Sequence, residues 1–212
     1  MIKHHLIDPS LGARGYFPID LSVKNAFWDA NDVSDIPTFE QYLAEKRKET
    51  NRYVAHGGYL EQRALYRRSA RFQDGAVRDT HMGIDLWAPA GTSVHAFMDG
   101  TIHSFAHNDD AGNYGPTVIL EHDFQGKKLY SLYGHLAISD MAGWSVGLRF
   151  RESEQIATLG TPQENGGYSP HLHFQLMTSM LDFKGDFVGV LAPEQLDAFE
   201  DVILDPNPFI FE

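Results

Sequence analysis

The chain has 212 residues, 17 Lys/Arg against 29 Asp/Glu, a formal charge of −12 and no cysteine. The length supports one domain plus an extension, and the lack of cysteine excludes disulfides, thiol catalysis and Cys-ligated zinc. The acidic balance disfavours nucleic acid and anionic lipid as partners, and no apolar run reaches the roughly 18 residues of a membrane span. From Met1 to Pro9 no apolar signal region is present. With Met1 as the native start, a cytoplasmic protein is therefore expected.

Residues 1–35 are turn-rich, with Pro9, Gly12, Gly15 and Pro18. Thr38 followed by Gln41 forms a capping-box pattern, which predicts a helix over about 39–49 with Phe39, Tyr42 and Leu43 on one face. Gly57-Gly58 breaks the chain, and Tyr59 to about Phe72 reads as a second helix with Leu60, Ala64 and Leu65 inward. From about 78 to 182 glycines recur, and short β-rich runs alternate between them: 93–97, 101–107, 117–121, 129–133, 155–159 and 171–177. Such spacing predicts a mostly β domain, an antiparallel sandwich or barrel. Residues 1–77 are expected to form an N-terminal helical extension packed on this β domain. In the tail, 183–212, a short helix is expected near 194–203, and Asp205-Pro206-Asn207-Pro208 reads as loop.

Five residues of the β region stand out. His81 and Asp85 are four apart, with Gly83 between them and Pro89 beyond, so the segment reads as extended rather than helical. His171 and His173 share one face of a strand whose other face carries Leu172, Phe174 and Leu176. His135 ends a run in which Leu129, Ser131 and Tyr133 share its side. Each taken alone has an ordinary reading: a hydrogen-bonded pair, a surface strand, a satisfied core histidine. Together they supply metal-ligand candidates and further histidines, a set that suits a zinc hydrolase with one coordination position open to water. His4 and His5 read as terminal and exposed, His95, His103, His107 and His122 are spaced too irregularly for a second metal cluster, and His56 beside Gly57-Gly58 is a candidate to border a cleft, with a helix-cap or surface role as the more ordinary reading. Arg63 and Arg78 are candidates for binding a substrate carboxylate, with a surface salt bridge as the more ordinary role.

The motifs in combination resemble the lysostaphin-type, LytM-like zinc metallopeptidases. The run from His81 to Ala96, the hairpin Asp99-Gly100-Thr101-Ile102, Tyr133-Gly134-His135-Leu136 and Pro170-His171-Leu172-His173-Phe174 carry the resemblance, over roughly 78–178. It implies a fold of the duplicated hybrid motif type and one Zn²⁺ held by His81, Asp85 and His173, with His135 and His171 as catalytic histidines. It further implies a peptide or peptidoglycan-fragment substrate, cut by metal-activated water. The family's glycine-rich recognition loop has its counterpart in Asn165-Gly166-Gly167-Tyr168. Phe17–Ser22, Gly57–Arg63 and the Asp205–Pro208 tail resemble a subgroup in which such a domain is fused within class III aminotransferase proteins. Two other readings compete: a non-catalytic, metal-stabilised module that binds a peptide or partner, and a phosphocarrier of related architecture. A phosphocarrier needs no carboxylate ligand, so Asp85 argues against it.

Overall fold

A computed structural model describes residues 3–68 and 76–211. Helix α1 (Pro9–Gly12) leads into strand β1 (Tyr16–Pro18), helix α2 (Phe27–Ala30) and the 15-residue helix α3 (Ile36–Thr50). Helix α3 buries Phe39, Tyr42 and Leu43, the face expected from the sequence. It starts earlier than the Thr38 pattern predicts. Asp35 is the cap, and its carboxylate accepts from the Thr38 backbone N–H and hydroxyl. Asn51 ends the helix in the left-handed conformation at φ 53°.

Strand β2 (Val54–Gly57) comes next, then β3 (Glu61–Gln62) and helix α4 (Ala64–Arg68). The long helix expected from Tyr59 is therefore corrected; its last residues, 69–72, lie outside the described residues. Leu60 takes φ 57° and its N–H donates to His81 O, while Glu61 and Gln62 pair with His81 and Thr80. Strand pairing with a distant segment overrides the local helical tendency. The extension thus supplies strands as well as helices.

The β region contains β4 (Thr80–His81), β5 (Ile84–Trp87), β6 (Ser93–His95), β7 (Gly100–Asn108), β8 (Gly115–Phe124), β9 (Lys127–Gly134), β10 (Arg149–Phe150), β11 (Gln155–Thr158) and β12 (His171–Met177). The tail adds β13 (Val190–Leu191), a 3₁₀ turn (Pro193–Ala198), β14 (Ile203–Leu204) and helix α5 (Asn207–Ile210). The tail's helical segment is thus shorter than expected. The segment read as loop after Asp205 instead turns helical, because Pro208 falls in the first turn, where no N–H is needed.

The main sheet runs β1-β2-β5-β12-β9-β8-β7-β10, with β14 also on β12. It is mostly antiparallel, but β1 pairs with β2 in parallel, and the path stays open. The mostly β expectation holds, and the barrel closure does not. Small sheets β6–β11 and β13-β4-β3 complete the architecture.

Alternation along β12 divides two environments. Leu172, Phe174 and Leu176 enter a core with Ile84, Leu86, Val118, Tyr133, Val94 and Ile156. His171, His173 and Gln175 take the other face, whose far end is closed by Met177 packed with Phe187, Leu191 and Ile203. A third cluster, Phe17, Leu21, Trp28, Phe39 and Leu43, packs the extension on Trp87 of β5.

Candidate metal centre

The centre is built from one row of the main sheet. Gly57 of β2 is paired with Asp85 of β5, Asp85 with His173 of β12, and His173 with Gly134 of β9. An acid and an imidazole therefore lie side by side, flanked by two residues without side chains. A Cβ at Gly134 would come within 2.8 Å of the Tyr114 ring, and one at Gly57 within 3.6 Å of an Arg63 nitrogen. Gly134 leaves room for Tyr114 to close on the pair, whereas the Arg63 contact at Gly57 is an ordinary one.

His81 arrives from a different sheet. Strand β4 pairs with β3 and β13, and the chain bends at Met82-Gly83 before joining the main sheet as β5. The bend turns the His81 ring back toward Asp85. Gly83 is sterically required, since a Cβ there would lie 2.6 Å from Phe174 O and 2.7 Å from the His173 ring.

His81 Nε2, Asp85 Oδ1 and His173 Nδ1 converge, with separations of 2.9 Å between the nitrogens, 3.3 Å from His81 to Asp85 and 3.1 Å from His173 to Asp85. A tetrahedral zinc with bonds of about 2.0–2.1 Å spaces its ligands about 3.3 Å apart. The donor set and its spacing fit such an ion. The outer atoms are also held: His81 Nδ1–H donates to Gly58 O at 2.9 Å, and His173 Nε2 lies 3.2 Å from Gln175 Oε1 and 3.4 Å from the Tyr114 hydroxyl. Asp85 Oδ2 accepts from Arg63 Nη1 at 2.5 Å. Burial alone would raise the Asp85 pKa, but His81, Arg63 and hydrogen bonds from His173 and His81 hold it well below the usual range. Burial, with Arg63 adding to it, pushes His81 down to about 4. A carboxylate and an unprotonated imidazole are the forms that ligate a metal.

His171 and His135 stand beside this group, their rings 4.2 Å apart. Each donates Nδ1–H to a backbone carbonyl, His171 to Ser169 and His135 to Asn165, both at 2.7 Å. In each ring Nε2 is then the basic nitrogen. His171 Nε2 lies 3.9 Å from Asp85 Oδ1. Trp87 stacks on the His171 ring at 5.5 Å and 21°. Burial lowers the pKa of both histidines, with His171 and His173 adding to the effect on His135 and Asp85 opposing it at His171.

His135 arrives by a route that strand alternation does not give. Continuing β9 would put it on the core side with Tyr133. Its φ of 64° instead turns the chain, and its N–H donates to Tyr114 O. Asn165 also organises the glycine loop: its Oδ1 accepts from Gly167 and Tyr168 N–H.

Asp85, Tyr114, His135, His171 and His173 line a cleft of about 280 Å³, and His81 lies outside its lining. Its walls include Leu21, Val33 and Phe39 of the extension, Tyr114 and Tyr168 of the β region and Phe187 of the tail. Of the other histidines, none forms a second metal cluster among the described residues. His122, for example, is held by Ser131 Oγ and Asp99 O.

The sequence profile of Peptidase family M23 matches residues 79–185, just over half of the chain. The chain belongs to Peptidase family M23. Its relatives include the DD-carboxypeptidase/endopeptidase Mpg of Neisseria meningitidis serogroup B and of Neisseria gonorrhoeae, each 35% identical over 95 residues. Those alignments cover 45% of this chain and 19% of either relative, so the chain spans about a fifth of their length. Among solved structures, the catalytic domain of lysostaphin from Staphylococcus simulans aligns at 20% identity and a TM-score of 0.47, covering 80% of this chain and 95% of that one.

The M23 match contains His81, Asp85, His135, His171 and His173 but not Arg63. Arg63 corrects an expectation. It is 2% exposed and bonded to Asp85 and Glu61, so it is a buried ion pair rather than a surface salt bridge, and it lines the cleft. Composition gives no sign of this, because a single arginine 22 residues before its partner reads as solvated. Only Gly57-Gly58 nearby signals close packing. Arg78 lines the cleft. No helix among the described residues is long and apolar enough to cross a membrane.

Proposed function

We propose that this M23 chain is a zinc-dependent metallopeptidase that hydrolyses a peptide bond in peptidoglycan-derived peptides. The observation that carries the proposal is the convergence of His81 Nε2, Asp85 Oδ1 and His173 Nδ1 within about 3.3 Å of one another, beside two pinned imidazoles on a cleft wall. Held by these three side chains, zinc would supply Lewis acidity toward water and toward a substrate carbonyl.

The chain's own groups account for the proton movements. Burial keeps His135 and His171 neutral, the form that accepts a proton at working pH. Their Nδ1–H bonds to Asn165 O and Ser169 O hold the tautomer that offers Nε2 to the cleft. Between them the two imidazoles take one proton from the attacking water and return one to the leaving amine. Trp87 fixes the plane of His171 from beneath. The Tyr114 hydroxyl stays protonated, since burial and then Asp186 raise its pKa well above the ordinary value, so it stays neutral beside the outer nitrogen of His173.

The name borne by the Neisseria relatives directs the substrate search to cross-links and C-terminal residues of peptidoglycan stem peptides. The test is hydrolysis of a panel holding D-Ala-terminated stem peptides and glycine-bridged peptides, with metal content measured in parallel. Wild type is expected to cleave at least one member and to lose cleavage on chelation. His135→Ala and His171→Ala are expected to keep stoichiometric metal while kcat falls by about 10²–10⁴. A metal-loaded wild type that cleaves nothing on the panel overturns the enzymatic reading in favour of a binding module.

A further inference from the structure

We infer that Arg63 is a positioning residue that restricts Asp85 to one-oxygen ligation, so that a coordination position stays open to water. The inference rests on the metal-centre reading above and adds a residue from outside the M23 match. Three observations carry it. First, the two oxygens of Asp85 are divided: Oδ1 faces His81 Nε2 and His173 Nδ1, while Oδ2 is taken by Arg63 Nη1 at 2.5 Å. An unrestrained carboxylate can turn both oxygens to a cation, adding a fifth donor that crowds the position water needs.

Second, Arg63 is itself fixed from several sides. Its Nε donates to Glu61 Oε2 at 2.8 Å, and the other Glu61 oxygen accepts from Leu21 N–H at 2.9 Å. Its backbone N–H donates to Asp79 O at 2.8 Å, and its guanidinium lies 5.9 Å from the ring centres of Tyr66 and Trp87. The extension therefore delivers one cation to one carboxylate oxygen with little freedom to move.

Third, the arrangement is poor as a device for stability alone. Among the described residues, Arg63 Nη2 is buried with no hydrogen-bond partner. An ion pair taken wholly out of water contributes little net stability, and leaving a donor unmet costs more. A functional constraint on Asp85 explains why such a group is retained.

The test uses the full chain loaded with Co²⁺, whose visible d–d absorption is several-fold stronger in four-coordinate than in five-coordinate sites. Wild type is expected to show the strong four-coordinate spectrum. Arg63→Met is expected to shift it to the weaker five-coordinate form at full cobalt loading, and Arg63→Lys, which keeps a donor for Oδ2, to recover most of the intensity. Near-UV circular dichroism establishes that each variant is folded. If Arg63→Met does not fold, Glu61→Gln, which loosens the guanidinium, takes its place, with a partial loss of intensity expected. A folded, fully loaded variant with the wild-type spectrum overturns the inference. A wild type that binds no Co²⁺ or Zn²⁺ overturns the underlying metal-centre reading instead.

Discussion

Gly83 shows how much of this site depends on a missing side chain. A Cβ there would press on Phe174 O and on the His173 ring, and the backbone oxygen has no freedom to yield. Gly83→Ala is expected to cost about 1–3 kcal/mol in denaturant unfolding and to weaken metal binding by displacing His173; an unchanged metal affinity would show that the ring can move aside. His56 gives a test of pH. Burial, with Arg52 adding to it, pushes its imidazole down to about 4 from 6.5, so the unfolded chain takes up this proton first. Stability is therefore expected to fall as pH drops from about 6.5 toward 4, by on the order of 3 kcal/mol at full effect. His56→Gln should flatten that part of the profile, as measured by urea midpoints across the range. At this scale the sequence is legible wherever spacing encodes geometry. His171 and His173 share a face because a strand alternates. His135 and Arg63 are less legible, because a left-handed residue and a long-range ion pair leave no periodic trace.

Among the elements, β12 matches its predicted bounds, and β7, β8 and β9 extend the predicted runs at both ends. Strand β12 alternates imidazole and apolar side chains, and β7, β8 and β9 lie between turn glycines. The differences fall in the extension and tail, where pairing partners are remote. The segment after Gly58 has helical composition but is drawn into β3 by His81 and Thr80. Helix α3 is legible from its apolar face, but its start is not, because Asp35 outcompetes Thr38 as cap; Thr38 itself donates to the Asp35 carboxylate. Asp35→Ala is expected to lower stability by about 1 kcal/mol, read from thermal or urea unfolding, whereas Thr38→Val should cost less because it leaves the backbone bond intact. Helix α3 also reaches the site: Glu40 accepts a hydrogen bond from Ser169, whose carbonyl holds His171.

At the scale of the molecule, the sequence points to a β domain carrying a helical appendage, and the structure joins them more closely. Strands β1 and β2 continue the main sheet beyond β5, and the apolar cluster around Trp28 rests on Trp87, the residue stacked on His171. The extension is therefore part of the cleft. The sequence carries no sign of this, because sheet continuation depends on which edge is free once the other strands have paired.

The bend at Met82-Gly83 has a mechanical consequence. It leaves His81 on the sheet of β3, β4 and β13, and Asp85 and His173 on the main sheet. A cation gripped by all three would act as a rivet through two plates that are also joined by Leu191 packed with Met177 and by the Arg63–Asp85 ion pair. Stripping the ion should lower the melting temperature by on the order of 10 °C, given a site saturated about a thousandfold above its dissociation constant. The loosening should show in hydrogen exchange first along the seam between the plates and last in the far strands β7 and β8.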